Sequence, residues 1–355
     1  MSFLICAPTV FVIGDRYEIL VCTKKNGTCA IRVGEHTVYS ERHGILLCQT
    51  NVHKIAIPQA WLDEASSYTV LYRETVNKKS YFPQFGGEEQ ETFSFRPLTK
   101  SDGIHVYHVA DVHSRFEEGI ETATYFGDEL DLLVVNGDIA EVNRESDFLN
   151  TADFLARIAH GCVPVVFVRG NHDTRGKLAE KYGDYFPTEN GETYFTFTVG
   201  SLTGIVLDCG EDKWDDCPEY GGANRFEAFR RRETEFLRSL TPPDAKHVFA
   251  ISHICPVRAH HTAGTIFDIE RELYGMWNAE LTRLGIHFML TAHMHDAEII
   301  PPNGGLIPHD YPLIVGAEYR NERFLGAALT LHGNTVEVVF NDRAHRVVRR
   351  TVLTV

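Results

Sequence analysis

The feature that most constrains the fold of this chain is a short apolar run that ends abruptly in a polar turn. Residues 165–169 read Val-Val-Phe-Val-Arg, and residues 170–173 read Gly-Asn-His-Asp. An apolar run bounded by turn residues is typical of a buried strand in a parallel sheet. The loops at the carboxyl ends of such strands open into a crevice, so functional side chains gather there. The turn therefore predicts a site, provided that other strands bring matching side chains to the same place.

From residue 104 onward, strand-like runs alternate with helical stretches. Strands are predicted at residues 104–110, 132–136, 165–169, 204–208, 247–252 and 287–291, and helices at residues 146–159, 225–240 and 270–284. This alternation indicates α/β architecture. Hairpin patterns at residues 194–207 and 326–340 indicate antiparallel additions and a second sheet.

The first part of the chain has a different pattern. Residues 1–97 contain many short strand-like runs separated by turn residues, which predict an all-β sandwich of the immunoglobulin or fibronectin-III type. Leu62 followed by Tyr68 before a strand is typical of a tyrosine corner. We therefore expect two domains in the 355 residues, a β-sandwich at 1–97 and an α/β domain at 98–355.

Composition narrows the partners and the compartment. A formal net charge of −15 disfavours long nucleic acid as a partner, although a small phosphorylated substrate stays possible if a metal supplies positive charge. The eight cysteines form no Cys-x-x-Cys pair and several lie in apolar runs, so we expect reduced core thiols. No run predicts a membrane span or a signal peptide. These patterns favour a cytoplasmic protein and leave its oligomeric state open.

Polar side chains with metal-binding chemistry follow five of the predicted strands. They are Asp111 and His113, then Asp138, then Asn171 and His172, then His253, and finally His293 and His295. Each group alone also has a structural explanation as a cap, a turn or a core histidine. Their recurrence at five strand ends favours a metal site. Imidazole ligands mixed with carboxylates and an amide suit first-row ions better than magnesium or calcium.

The order of these motifs resembles the calcineurin-like metallophosphoesterase superfamily over about residues 104 to 320. The resemblance implies a four-layer αββα sandwich with two metal ions, of manganese, iron or zinc, between its sheets. It implies that one ion is bound by Asp111, His113 and His295. The second would be bound by Asn171, His253 and His293, and Asp138 would bridge the two.

The resemblance also implies a hydrolase of phosphate esters. A hydroxide between the metals would attack phosphorus, and His172 would act as general acid toward the leaving oxygen. Glu141 stands where relatives carry a carboxylate that orients this histidine, although a solvated acid explains it equally well. The motif before His293 has Ala292 in place of the usual glycine, for which we expect only a slight backbone adjustment.

A β-sandwich placed before such a domain also resembles the domain order of purple acid phosphatases. Their tyrosine ligand corresponds to Glu141 in this chain, so the ferric charge-transfer colour is not expected. The long loop at residues 209–222 is a candidate substrate wall. The arginines at 230–232 are interpreted as a solvated helix face. Four weaker candidates for contacting substrate are Arg115, His260, His261 and His309.

Three functional hypotheses remain at this stage. The first is a dinuclear-metal hydrolase of small phosphate mono- or diesters, with the preference between them left open. The second is a non-catalytic scaffold of the same fold that binds partners through the β-sandwich, although such a scaffold is expected to have lost metal ligands. The third, a mononuclear zinc hydrolase, leaves several candidate ligands without a role.

Overall fold

The computed structural model describes residues 2–79, 81–257, 267, 269–316, 319–320 and 323–355. Its α-helices are α1 (Gln59–Ala65), α2 (Phe116–Ala123), α3 (Glu145–Ala159), α4 (Tyr182–Tyr185), α5 (Phe226–Ser239) and α6 (Arg271–Arg283). Short 3₁₀ turns cover Thr124–Glu129, His172–Thr174, Ala179–Lys181 and Pro218–Tyr220. The three predicted helices are confirmed as α3, α5 and α6, whereas α2 was not predicted.

The strands of the amino-terminal region are β1 (Thr9–Ile13), β2 (Arg16–Cys22), β3 (Gly27–Val33), β4 (His36–Tyr39), β5 (Glu41–Arg42), β6 (Ile45–Leu46), β7 (Val52–Pro58), β8 (Ser67–Lys78) and β9 (Pro83–Ser94). Those that follow are β10 (Ile104–Val109), β11 (Leu132–Asn136), β12 (Pro164–Val168), β13 (Phe195–Val199), β14 (Leu202–Leu207), β15 (His247–Ser252), β16 (Phe288–Thr291), β17 (Glu298–Ile300), β18 (Leu313–Val315), β19 (Tyr319–Arg320), β20 (Arg323–Phe324), β21 (Gly326–His332), β22 (Thr335–Asn341) and β23 (Val347–Thr354).

Two large sheets organise the molecule. The first has nine strands in the order β23–β22–β21–β10–β11–β12–β1–β2–β7, and β10, β11, β12 and β1 run parallel within it. The second has six strands in the order β13–β14–β15–β16–β18–β17, with β14, β15, β16 and β18 parallel. Parallel strands end at the same edge of a sheet, so each sheet offers one functional edge.

Apolar side chains place these sheets face to face between helices. Val134 and Val168 of the first sheet share a buried cluster with Val206 and Leu290 of the second. On the outer faces, one cluster joins the first sheet to α2 and α3, and another joins the second sheet to α5 and α6. Strands buried on both faces need apolar side chains at every position, which is why their sequences do not alternate. The predicted four-layer αββα fold is confirmed.

The amino-terminal region is β-rich and fits a β-sandwich, with one layer that differs from expectation. Its four-stranded sheet, β4–β3–β8–β9, packs through Ile31 and Val70 against Ile19 and Ile55 of β2 and β7. Those two strands belong to the nine-stranded sheet, because β1 pairs in parallel with β12 and carries β2 and β7 with it. The sheet therefore runs across the predicted boundary at residue 97.

The predicted tyrosine corner is wrong. Tyr68 is buried, but its hydroxyl donates to the carbonyl of Gly161, 3.1 Å away and 93 residues along the chain, rather than to backbone just upstream. The residue therefore ties the four-stranded sheet to the loop after α3. Among the described residues, no helix is long and apolar enough to cross a membrane. The cytoplasmic location stays a prediction.

Candidate metal centre

The strand ends that carry the predicted ligands lie next to one another. In the first sheet Val109 pairs with Val135, and Asn136 pairs with Val168, so β10, β11 and β12 end in register. The loops that follow them carry Asp111, His113, Asp138, Asn171 and His172. In the second sheet the residues after β15 and β16 are His253, Ala292, His293 and His295. The structure brings all seven predicted ligands, together with His172, to the edge where the two sheets meet.

The ligand atoms form overlapping groups. Asp111, His113 and His295 offer atoms that all lie within 4.8 Å of one another, and Asp138, His253 and His293 do the same. His295 Nε2 lies 3.4 Å from Asp111 Oδ1, and His253 Nε2 lies 3.2 Å from Asp138 Oδ2. A third group, His113, Asp138 and His172, shares His113 with the first group and Asp138 with the second. The candidate ligands therefore form one connected cluster.

The side-chain amide of Asn171 points into a cluster of hydrogen-bond acceptors. Its inner atom lies 2.9 Å from His293 Nδ1, 3.2 Å from Asp138 Oδ2 and 3.3 Å from His253 Nε2. With the amide oxygen in that place, four atoms with lone pairs converge on one point. Such convergence suits a cation, whereas without one the amide nitrogen must face inward to donate.

A buried carboxylate oxygen gives the same indication for the other group. Asp111 is fully buried, and its Oδ1 accepts no hydrogen bond from the described part of the chain. His113 Nε2 and His295 Nε2 also lie 3.2 Å apart. Each of these ring nitrogens can offer a lone pair to a cation. Asp111 Oδ2 accepts the backbone N–H of His293 at 3.0 Å, and a buried carboxylate oxygen that accepts no hydrogen bond is costly. These residues therefore fit a bound cation, and their imidazole, carboxylate and amide atoms suit a first-row transition ion.

Many of the site residues have an uncommon backbone conformation. Five of the seven predicted ligands have positive φ: Asp111 at 51°, His113 at 45°, Asp138 at 57°, His293 at 68° and His295 at 52°. Outside glycine this region is sparsely populated, and Asp and His are among the residues that tolerate it. Each such residue costs on the order of 1 kcal/mol, so the fold holds these loops against a local preference.

Two glycines let the loops approach closely enough to form the site. A Cβ on Gly170 would lie 2.2 Å from Asp138 Oδ1, and one on Gly137 would lie 2.5 Å from Gly170 Cα. Neither position has room for a side chain. At the position where relatives have glycine, Ala292 is fully buried and contacts Ala110.

Buried polar groups behind the ligands set their orientation. Asp173 Oδ2 accepts the backbone N–H groups of Gly170 at 2.7 Å and Asp138 at 3.0 Å, so this residue shapes the turn. His253 Nδ1 lies 2.5 Å from the carbonyl oxygen of Asn136, which leaves its Nε2 to face the site. A histidine ligand is commonly held in this way by a partner on its other nitrogen.

The charges of the centre are strongly coupled. Burial alone would raise the pKa of Asp138, but the rings of His253, His172 and His113 hold that pKa well below its usual range. Burial would lower the pKa of His253, yet the Asp138 and Asp111 carboxylates raise it to about 10. His253 Nε2 lies 3.2 Å from Asp138 Oδ2. Its proton and a cation compete for the same lone pair.

His172 lies beside the ligands. Its backbone N–H donates to Asp138 Oδ1 at 2.8 Å, and its Nε2 faces Asp138 Oδ2 at 4.0 Å. Its Nδ1 is 3.8 Å from Glu141 Oε1, which is too long for a hydrogen bond, and the Glu141 side chain is 63% exposed. Glu141 thus lies near the His172 ring but does not form a hydrogen bond with it in this conformation.

Arg175, which no sequence pattern singled out, reaches the same place. Its Nη1 lies 3.2 Å from His172 Nε2, and its Nε and Nη2 donate to both carboxylate oxygens of buried Glu211 at 2.8 and 2.7 Å. Asp212, from the same loop, lies 3.4 Å from Arg175 Nη2 and 3.8 Å from His293 Nε2. Only the position of Arg175 directly after the 3₁₀ turn could have drawn attention to it.

The weaker candidates have other roles. Arg230 is 1% exposed and donates to the carbonyls of Cys209 and Glu211, so it anchors the loop. The prediction of a solvated helix face is therefore wrong for Arg230. It is right for the next two arginines, which are exposed. His309 is buried, and its ring nitrogens face the carbonyl oxygens of Ile307 at 2.9 Å and Pro301 at 3.1 Å, so its ring is turned to backbone groups rather than to a candidate ligand. Arg115 pairs with Glu118. His260 and His261 lie outside the described residues.

Comparisons with known proteins agree with this geometry. The family described as calcineurin-like phosphoesterase matches residues 104–297. The serine/threonine-protein phosphatase CPPED1 of Danio rerio is 26% identical over 136 residues, which are 38% of this chain and 42% of that protein. The chain thus matches less than half of the length of this relative.

Two solved structures share the fold over nearly the whole chain. A purple acid phosphatase, PPD1 from yellow lupin (Lupinus luteus) seeds, has a TM-score of 0.61 at 10% identity. The match covers 98% of this chain and 74% of the lupin chain. PhoD has a TM-score of 0.57 at 12% identity and covers 99% of this chain and 89% of its own. At these identities the likeness concerns the fold. Since the family match covers more than half of the sequence, the chain belongs to the calcineurin-like phosphoesterase family.

Proposed function

We propose that this protein is a dinuclear-metal hydrolase of phosphate esters that acts on small substrates. One ion would be held by Asp111, His113 and His295, and the other by Asn171, His253 and His293, with Asp138 between them. The observation that carries the proposal is the convergence of lone-pair atoms around the Asn171 amide and at the buried Asp111 carboxylate. Manganese, iron and zinc are the candidate metals because they accept this mixture of ligands.

Bound cations would supply the positive charge that a phosphoryl group requires and would lower the pKa of water. The remaining chemistry belongs to the side chains of this chain. His172 would contact the phosphoryl group and pass a proton to the leaving oxygen, a role that suits imidazole near neutral pH. Glu141 Oε1 is 3.8 Å from His172 Nδ1, so a small movement of this exposed side chain would let it orient the ring.

A metal-restoration experiment tests the proposal. The protein is stripped with a chelator, Mn²⁺, Fe²⁺ or Zn²⁺ is restored separately, and hydrolysis of p-nitrophenyl phosphate and of its bis-ester is measured. We expect turnover with at least one of the metals and none in the stripped protein. Silence with every metal would sink the enzyme hypothesis and favour the scaffold.

The role of His172 is tested with substrates that differ in leaving group. His172→Ala is expected to lower kcat roughly 10²- to 10⁴-fold on an alkyl phosphate, the range typical of general acid catalysis. The loss should be much smaller on p-nitrophenyl phosphate, because its leaving group needs little protonation. An equal loss on both substrates would show that His172 is not the acid.

A further inference from the structure

Arg175 presents a hydrogen-bond donor to the metal centre from a rigid support. Its side chain is 33% exposed, whereas the Glu211 carboxylate that it pairs with is 1% exposed. The two parallel bonds, from Nε at 2.8 Å and Nη2 at 2.7 Å, fix the plane of the guanidinium. This pairing uses one edge of the group and leaves Nη1 on the other side.

The loop that supplies Glu211 is itself held on several sides. Arg230 donates to the carbonyl oxygens of Cys209 and Glu211, both at 2.9 Å. The Tyr220 hydroxyl donates to Glu211 Oε2 at 3.1 Å. Thr174, next to Arg175, donates to Glu211 Oε1 at 2.9 Å. The direction of the guanidinium is therefore set by the fold before any substrate arrives.

The edge of Arg175 opposite Glu211 faces the site. Nη1 lies 3.2 Å from His172 Nε2, and that ring nitrogen in turn faces Asp138 Oδ2 at 4.0 Å. Nη2 meets the outer atom of the Asn171 amide at 3.0 Å. The contact with Asn171 would be lost if that amide turned its oxygen inward toward a cation. The guanidinium would still keep its two bonds to Glu211, from Nε and Nη2, so the position of Nη1 does not depend on Asn171.

We propose that Arg175 Nη1 donates to a non-bridging oxygen of the substrate and makes this site selective for phosphate monoesters, an inference that rests on the proposed function. Three equatorial oxygens surround phosphorus during transfer. Two of these oxygens would be bound by the two cations. The third is unsubstituted in a monoester and can accept from Arg175. In a diester it carries a second ester group, which cannot accept a charge-assisted bond in the same way and would crowd the guanidinium.

Arg175 is not simply an added positive charge. Glu211 balances its charge, and Asp212 adds a carboxylate that lies 3.4 Å from Nη2. What Arg175 supplies is therefore a donor at a fixed position, and substrate charge must be balanced by the cations. Lysine keeps the charge but lacks the planar fork, so Arg175→Lys separates geometry from charge.

The test compares wild type, Arg175→Lys and the double variant Arg175→Gln/Glu211→Gln, all loaded with the metal that gives the highest wild-type activity. The double variant avoids leaving the buried Glu211 carboxylate unpaired. We expect wild type to favour p-nitrophenyl phosphate over bis-p-nitrophenyl phosphate. Both variants should lose roughly 10²-fold in kcat/KM on the monoester, as for other single donors to a transition state, and less than about threefold on the diester. Arg231→Lys, which changes an exposed arginine paired with Glu227, is the matched control.

Binding of inorganic phosphate by calorimetry supplies a readout without turnover. The metal-loaded variants should bind phosphate about tenfold more weakly than wild type, as for loss of one charge-assisted bond, with unchanged metal content and melting temperature. Equal losses on both esters, an unchanged phosphate affinity, or a wild-type preference for the diester would overturn the monoester assignment while leaving the proposed hydrolase intact. A wild type that hydrolyses neither ester with any metal would overturn both.

Discussion

Asp138 lies between the candidate ligands of the two sheets, with its Oδ2 3.9 Å from His113 Nε2. Oδ1 accepts the backbone N–H of His172 at 2.8 Å, and Oδ2 faces His253 Nε2 at 3.2 Å. Its own backbone N–H donates to Asp173. A carboxylate held by its neighbours on both sides can serve two cations without moving, so its charge matters more than its shape.

Substitution of Asp138 by asparagine tests this role. Asp138→Asn keeps the size of the side chain and removes the charge that would be shared by two ions. We expect metal content to fall from two ions per chain to one or none and kcat to fall by roughly 10²-fold or more. Inductively coupled plasma mass spectrometry measures the metal. Asp184→Asn, on the surface, should change neither value, and full metal content in Asp138→Asn would contradict the bridging role.

The close contact of Gly170 with Asp138 leads to a second prediction. A methyl group in Gly170→Ala would lie 2.2 Å from Asp138 Oδ1 and 2.5 Å from its backbone nitrogen. The two loops must then separate, which should lower the free energy of unfolding by roughly 1–3 kcal/mol and weaken metal binding. Denaturant unfolding measures the first effect. Gly87→Ala is the matched control because a methyl there meets nothing within 4 Å, and equal stability of both variants would refute the argument.

At the scale of single elements, strand β7 contains a buried histidine, His53. His53 lies on β7, is fully buried, and its Nδ1 lies 2.9 Å from the Ser40 hydroxyl oxygen. Burial lowers the pKa of His53 to about 4. Burial thus keeps the His53 ring neutral. The contact between this ring and Ser40 joins the nine-stranded sheet to the loop that contains Ser40.

Acid should therefore weaken this part of the molecule. Between pH 6.5 and about 4 the unfolded chain binds a proton on His53 that the folded chain excludes. The free energy of unfolding then falls with falling pH across that window, by up to roughly 3 kcal/mol from this residue. Urea unfolding at several pH values should show a flatter dependence for His53→Gln than for wild type. The exposed His332→Gln should keep the wild-type slope, and identical slopes in all three proteins would contradict the prediction.

At the scale of the whole molecule, the nine-stranded sheet joins both parts of the sequence. β1 lies between β12 and β2, with Val10 and Phe11 opposite Pro164 and Val165. Removing residues 1–97 would expose one side of β12, the strand that leads into Gly170 and Asn171. An unpaired apolar strand is a site for aggregation.

A truncation tests this dependence. We expect the fragment of residues 98–355 to be insoluble, or to show exposed apolar surface by dye binding, and to bind no metal. Co-expression with a fragment of residues 1–97 should restore a folded, metal-binding complex, because the same strand pairs can form between two chains. A soluble fragment 98–355 with two bound metal ions would instead support a boundary at residue 97.

The predicted features are those written in short stretches of sequence. The run at residues 165–169 and its turn predicted β12 and the loop with Asn171, because a buried strand and a glycine-containing turn are local patterns. Helices α5 and α6 followed from their periodicity in the same way. β1 was overlooked because a five-residue apolar strand looks the same wherever it pairs.

Arg175 was missed for a related reason. Its partner Glu211 is 36 residues away, in a loop whose path depends on Arg230 behind it. Tyr68 was misread because its sequence context fits a local hydrogen bond, whereas the fold places the carbonyl of Gly161 within reach. Long-range partners of polar side chains are decided by packing, and sequence spacing does not report it.

The sequence by itself determined the class of fold, the order of the motifs and the residues that follow each strand, since periodicity and turn chemistry are local. Only the tertiary structure decided which atoms meet: the lone pairs around Asn171, the left-handed backbone of five ligands, the guanidinium of Arg175, and the sheet shared across residue 97. The reason is that these features depend on strand pairing and on the contact between two sheets, which bring together residues far apart in the chain.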